Sequence, residues 1–125
     1  MATACKTAIL ISGSGSNLQA LINAVDKGES NLELCVVFSN SPNAYGLQRA
    51  EKAGIPTACI QHSDFPDRES FDAAVIAELD HFNPELLILA GFMRILTHEF
   101  IAHYRGKILN IHPALLPLYP GLNTH

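Results

Sequence analysis

Thr7-Ala8-Ile9-Leu10-Ile11, running directly into Ser12-Gly13-Ser14-Gly15-Ser16-Asn17, decides the fold. The first five residues are short-run, apolar and rich in β-branching, which reads as a buried strand, and the small turn formers after them end it at once. Ser16 is a good N-cap for a helix carrying Leu18, Leu21, Ile22 and Val25 on one face, and Gly28 suits the left-handed position that closes it. The stretch is therefore a strand, a glycine turn and a helix.

The same alternation continues along the chain. Residues 32–38 (LELCVVF) predict a second strand, and the loop Ser39 to Asn43 leads into a helix from about 44 to 53 that Gly54 and Pro56 stop. Residues 57–60 predict a short third strand. Asp67 can cap a helix with the apolar stripe Phe71, Ala74, Val75, Leu79 and Phe82, closed by Pro84. Residues 86–90 (LLILA) are apolar throughout, as a central parallel strand covered on both faces requires. A short helix over 97–104, ended by Gly106, precedes a fifth strand over 107–111. Residues 1–125 thus form a single α/β domain, an open, mostly parallel sheet of about five strands with helices on both faces.

Composition narrows the function. A chain of 125 residues with 48% hydrophobic and 16% charged residues can build a sizeable core. Its net charge of −4 and lack of a Lys/Arg run disfavour nucleic acid or an anionic membrane as partner. Cys5, Cys35 and Cys59 are odd in number and widely spaced, so they suggest buried small hydrophobes rather than disulfides or zinc ligands. The six histidines (62, 81, 98, 103, 112 and 125) lack metal-binding spacing, so no metal is expected. No apolar run approaches a signal peptide or a membrane span, which fits a cytoplasmic protein.

In open parallel sheets ligands bind beyond the carboxyl ends of the strands, and three unusual segments fall there: 13–17, 91–96 and 110–113. In the first, free N–H groups and the helix dipole favour a phosphate. Leu18 stands where a dinucleotide fingerprint needs a third glycine, Ser39 and Asn40 stand where it needs an acid, and no Walker lysine is present. A single phosphate on a small metabolite remains, beside the alternative of a tight glycine turn with no ligand. The second segment, Gly91-Phe92-Met93-Arg94-Ile95-Leu96, can wall an apolar pocket for a flat ring, although core packing equally explains its apolar residues. Arg94 and Arg68 read more simply as solvated surface charges.

In the third segment, Asn110 and His112 are two apart and share a strand face, whereas Ile111 points into the core. Pro113 favours an extended His112 and ends the ladder, so a carboxamide and an imidazole stand together at the strand tip. The pair is either a polar strand end that satisfies itself or an acyl-transfer centre. In the second case both groups donate to an oxyanion and His112 moves a proton between amines. With no Ser or Cys beside them as an obvious nucleophile, direct attack by a substrate amine is the more natural chemistry.

Four stretches together resemble the phosphoribosylglycinamide formyltransferase family: ISGSGSNLQALI (11–22), VFSNSPNAYGLQRAEKAGI (37–55), LAGFMRIL (89–96) and NIHPALLPLYPGLNTH (110–125). The resemblance implies a Rossmann-like formyltransferase fold and a folate-dependent enzyme of de novo purine biosynthesis. That enzyme moves a formyl group from 10-formyltetrahydrofolate, its co-substrate, to the amine of glycinamide ribonucleotide. It implies that Gly15, Ser16 and Asn17 bind the substrate phosphate and that Met93, Arg94, Ile95 and Leu96 line and hydrogen-bond the pterin. Arg68 would meet the glutamate tail of the folate, and Asn110 and His112 would be catalytic, Asn110 also touching the folate. Leu116-Pro117 resembles a position with a cis bond, and Leu118 replaces a basic residue often found in that turn.

Members of the family continue beyond this stretch and carry an aspartate there that partners the histidine; none of Asp26, Asp64, Asp67, Asp72 or Asp80 matches it. The chain is therefore expected to be the N-terminal portion of such an enzyme, acting as a monomer or weak homodimer through an exposed fifth-strand edge. The alternatives are a formyltetrahydrofolate deformylase, with water in place of the amine, or a phosphate-metabolite-binding protein without catalysis.

Overall fold

A computed structural model describes residues 4–111 of the chain. Five strands, β1 (Cys5–Ile11), β2 (Leu32–Ser39), β3 (Thr57–Cys59), β4 (Leu86–Ala90) and β5 (Ile108–Ile111), form one sheet in the order β3-β2-β1-β4-β5. All four pairings are parallel. The connecting helices are α1 (Ser16–Asp26), α2 (Tyr45–Lys52), α3 (Arg68–Asp80) and α4 (His98–His103). This is the open α/β sheet expected from the sequence, and it is Rossmann-like.

Alternation along β1 sorts the core into two layers. Ala8 and Leu10 pack with Val36, Phe38 and Leu87 under Phe71, Val75 and Leu79 of α3 and Phe100 of α4. Ile9 and Ile11 pack with Val37 and Ile88 under Leu18 and Ile22 of α1 and Ala50 of α2. Each buried Ile, Leu or Phe contributes about 1.5–3 kcal/mol, against roughly 1 kcal/mol for a helix cap. The apolar strands thus fix the topology, and the caps fix only where helices start.

Two starts follow the side-chain rule. Asp67 Oδ1 accepts from Ser70 N at 2.7 Å, which holds its carboxyl below the usual range, and Thr97 Oγ1 accepts from Phe100 N at 3.2 Å. The third does not. Gly15, at φ 75°, is the N-cap of α1 and Ser16 is its first helical residue, with no side-chain cap. A glycine is placed there by a close approach to α2, described below. Gly28 takes the left-handed conformation expected after α1, and Gly106, expected to end α4, is left-handed as well.

The remaining differences are small. β3 stops at Cys59, and a single 3-10 turn, His62–Asp64, follows. The cysteines are not the buried hydrophobes expected: Cys59 is exposed at the end of an edge strand, and Cys5 and Cys35 are half-buried. Cys35 donates to the Thr7 carbonyl at 3.4 Å, and burial pushes its thiol up. Among the described residues no helix is long and apolar enough to cross a membrane.

Candidate active site

Because the strands are parallel, the loops that follow β1, β2 and β4 all open on one edge of the sheet. A cleft of about 280 Å³ lies there, lined by Ser12 to Asn17 on one side and by Ala90, Gly91 and Met93 on the other. The first two segments singled out in the sequence therefore meet.

The glycine loop is held from behind by α2. Gly46 N donates to the Gly13 carbonyl at 3.1 Å, and Arg49 Nε donates to the Ser14 carbonyl at 2.7 Å. Arg49 also reaches Gln19 Oε1 at 3.2 Å, and its guanidinium lies over the Tyr45 ring at 4.9 Å. A Cβ on Gly15 would stand 2.6 Å from Gly46 Cα, so these two glycines are in backbone contact. With two loop carbonyls committed to α2, the first-turn N–H groups of α1 keep no side-chain cap. Such donors, at the positive end of the helix dipole, suit an anion the size of a phosphate.

The opposite wall is pinned at both ends. Met93 N donates to Ser12 Oγ at 2.8 Å, and Thr97 N donates to the buried carboxylate of Asp72 at 2.8 Å. Between these pins Phe92 turns inward onto Phe38 edge to face, and Leu96 packs on the same core layer. Met93 and Ile95 turn outward and are 81% and 72% exposed. Two large apolar side chains shown to solvent on the wall of this cleft are suited to the face of a flat ring. Arg94 lies over the Phe71 ring at 4.8 Å, and its Nε is buried without a hydrogen-bond partner.

Other expected site residues are dispersed. Arg68 is exposed at the first residue of α3, and Asn110 is exposed on β5, paired in register with Leu89 at the root of the 91–97 loop. Of the residues expected to line the pterin only Met93 lines the cleft; Arg94, Ile95 and Leu96 do not, and neither do Arg68 and Asn110. Ile111, half-buried, packs on the α1 layer, and Leu109 on that same face is 50% exposed. His112, the Leu116-Pro117 bond and Leu118 lie outside the described residues.

Sequence reading missed four supporting residues: Asn40, Gly46, Arg49 and Asp72. Asp72 had a signal, an acid among the apolar positions of α3, but its partner belongs to another segment. Replacing Asp72 with Ala leaves the buried Thr97 N–H without an acceptor, which costs about 1–3 kcal/mol. The expected result is a lower urea midpoint for Asp72→Ala, with much of the loss recovered by Asp72→Asn, which retains an acceptor.

A family model described as formyl transferase matches residues 5–125. The chain belongs to the formyl transferase family. The resemblance read from its motifs is borne out at that level. Among formyl transferase relatives, "Phosphoribosylglycinamide formyltransferase" of Escherichia coli (strain K12) is 51% identical over 117 residues, 94% of this chain and 55% of that protein. "Trifunctional purine biosynthetic protein adenosine-3" of Gallus gallus is 52% identical over 96% of this chain and 12% of its own length. The crystal structure of phosphoribosylglycinamide formyltransferase from Brucella melitensis superposes with a TM-score of 0.86 at 47% identity, covering 96% of this chain and 62% of that one. The chain spans about half the length of the Escherichia coli relative.

Proposed function

We propose that this protein transfers a formyl group from 10-formyltetrahydrofolate to the amine of glycinamide ribonucleotide in purine biosynthesis. The observation that carries the reading is the meeting of the uncapped glycine loop and the Met93 wall in one cleft. Half-identity to a protein named phosphoribosylglycinamide formyltransferase supports it.

In this reading Gly15, Ser16 and Asn17 take the ribonucleotide phosphate through their N–H groups, and Met93, Arg94, Ile95 and Leu96 receive the pterin. Arg68, at the exposed start of α3, meets the anionic tail of the folate. The substrate amine attacks the formyl carbon directly. A new C–N bond forms, the bond to the folate nitrogen breaks, and one proton passes from the attacking amine to the leaving nitrogen. Asn110 donates its carboxamide N–H to the oxyanion that develops on the formyl oxygen, and His112 donates to the same oxygen and carries the proton. The step is written without a metal, because the ribonucleotide amine is the nucleophile, the formyl group of the folate is the electrophile, and Asn110 and His112 stabilise the charge that develops. The reading makes the protein cytoplasmic, a monomer or weak homodimer.

The test is incubation with both substrates, followed by mass spectrometry of the ribonucleotide and detection of tetrahydrofolate. One formylated ribonucleotide per tetrahydrofolate is expected. Tetrahydrofolate and formate released at the same rate with or without the ribonucleotide would replace transfer by deformylation, and no turnover of either substrate would refute the reading.

A further inference from the structure

Ser12 stands at the junction of three loops, and both of its hydrogen-bonding capacities are used across them. Its Oγ accepts from Met93 N at 2.8 Å, and its hydroxyl donates to Asn40 Oδ1 at 2.7 Å. A serine hydroxyl has one proton to give. Since Asn40 takes that proton, the oxygen lone pairs are left facing Met93, and hydrogen bonds in series polarise one another. The chain of contacts therefore runs from the end of β2, through the end of β1, to the wall that follows β4.

We propose that Ser12 and Asn40 form a polar relay that holds the Met93 wall in position to receive the flat ring of the second substrate. Both are positioning residues, and the proposal rests on the function proposed above for the substrate class that the wall receives. Met93 needs such a tether. Its side chain is 81% exposed and contributes little packing, Gly91 before it has a left-handed φ of 80°, and the next fixed point is the Thr97 N–H on Asp72. Without the Ser12 bond, what anchors this wall among the described residues is the packing of Phe92 and Leu96 and the stacking of Arg94 on Phe71. An untethered wall pays its ordering entropy on binding, and the affinity lost falls on the ring and not on the phosphate, whose donors are fixed by α2.

The experiment combines amide hydrogen exchange at Met93 with calorimetric titration of the protein by tetrahydrofolate and, separately, by inorganic phosphate. For Ser12→Ala the Met93 amide is expected to exchange about three- to tenfold faster and the tetrahydrofolate Kd to rise by about the same factor. Phosphate affinity stays within about twofold, because the bonds to Gly13 and Ser14 are untouched. Ser12→Thr, which keeps the hydroxyl, restores both quantities, and Asn40→Ala moves them in the same direction as Ser12→Ala with less than additive effect in the double variant. Unchanged Met93 exchange in Ser12→Ala overturns the relay, as does an equal loss of tetrahydrofolate and phosphate, which would mark Ser12 as a general support of the loop. Failure of the unsubstituted protein to bind tetrahydrofolate overturns the proposed function instead, and the exchange arm still decides the relay.

Discussion

Gly15→Ala is expected to destabilise the protein by about 2–5 kcal/mol, the sum of about 1–2 for a left-handed non-glycine residue and about 1–3 for overpacking. Two independent costs meet at this residue. Its φ of 75° lies where a Cβ crowds its own carbonyl, and that Cβ would come 2.6 Å from Gly46 Cα, which is backbone and cannot rotate away. Relief requires the loop to leave α2, and with it go the bonds from Gly46 N and Arg49 Nε to the loop carbonyls. Domains of this kind have about 5–15 kcal/mol in all, so the variant should show a markedly lower urea midpoint and no measurable phosphate binding. Gly13 is the control. A Cβ there meets nothing within 4 Å, so Gly13→Ala should lie within about 0.5 kcal/mol of the unsubstituted protein. Equal midpoints for the two variants would show that the Gly15–Gly46 contact does not organise the loop.

That contact also marks where the sequence stops being readable. Short apolar runs such as TAILI and LLILA carry their structure locally: five residues long and bounded by turn formers or proline, they are too short for a buried helix and fit strands covered on both sides, which β1 and β4 are. Asp67 and Thr97 likewise carry their caps in their own side chains. Ser16 has the same cap chemistry and yet sits inside the helix, because the conformation before it is set by Gly46, which is distant in sequence. Asp72 reads as a polar position on a helix until Thr97 is brought to it, and Cys59 reads as buried until β3 proves to be an edge. The edge that would hold the ligand was legible from the alternation of strands and helices. The scaffolding behind it was not, since Asn40, Arg49 and Asp72 act through partners that only the folded chain supplies.

In the proposed reaction Asn110→Ala should lower turnover by roughly 10²–10³, the cost of one oxyanion donor, with a smaller rise in the KM of the folate that its side chain also touches. The position of Asn110 favours such a role. β5 is held to β4 in parallel register, with Asn110 beside Leu89 and Ile111 beside Ala90, so its carboxamide is carried by a strand and not by a free loop. Leu89 and Ala90 lead directly into Gly91 and Met93, which ties the height of Asn110 to the wall proposed to receive the formyl donor. Its exposure among the described residues leaves the amide open to a ligand. Two further substitutions separate charge from geometry. Asn110→Asp keeps the shape but replaces a donor with an anion opposite the developing oxyanion, so it should lose at least as much as Ala. Asn110→Gln keeps the donor but displaces it by one methylene, and should recover part of the rate. Steady-state kinetics of the three variants with both substrates varied would decide the matter. A turnover within about twofold of the unsubstituted enzyme for Asn110→Ala would remove the carboxamide from the reaction, because an oxyanion donor is worth about 2.7–4 kcal/mol and cannot be lost silently.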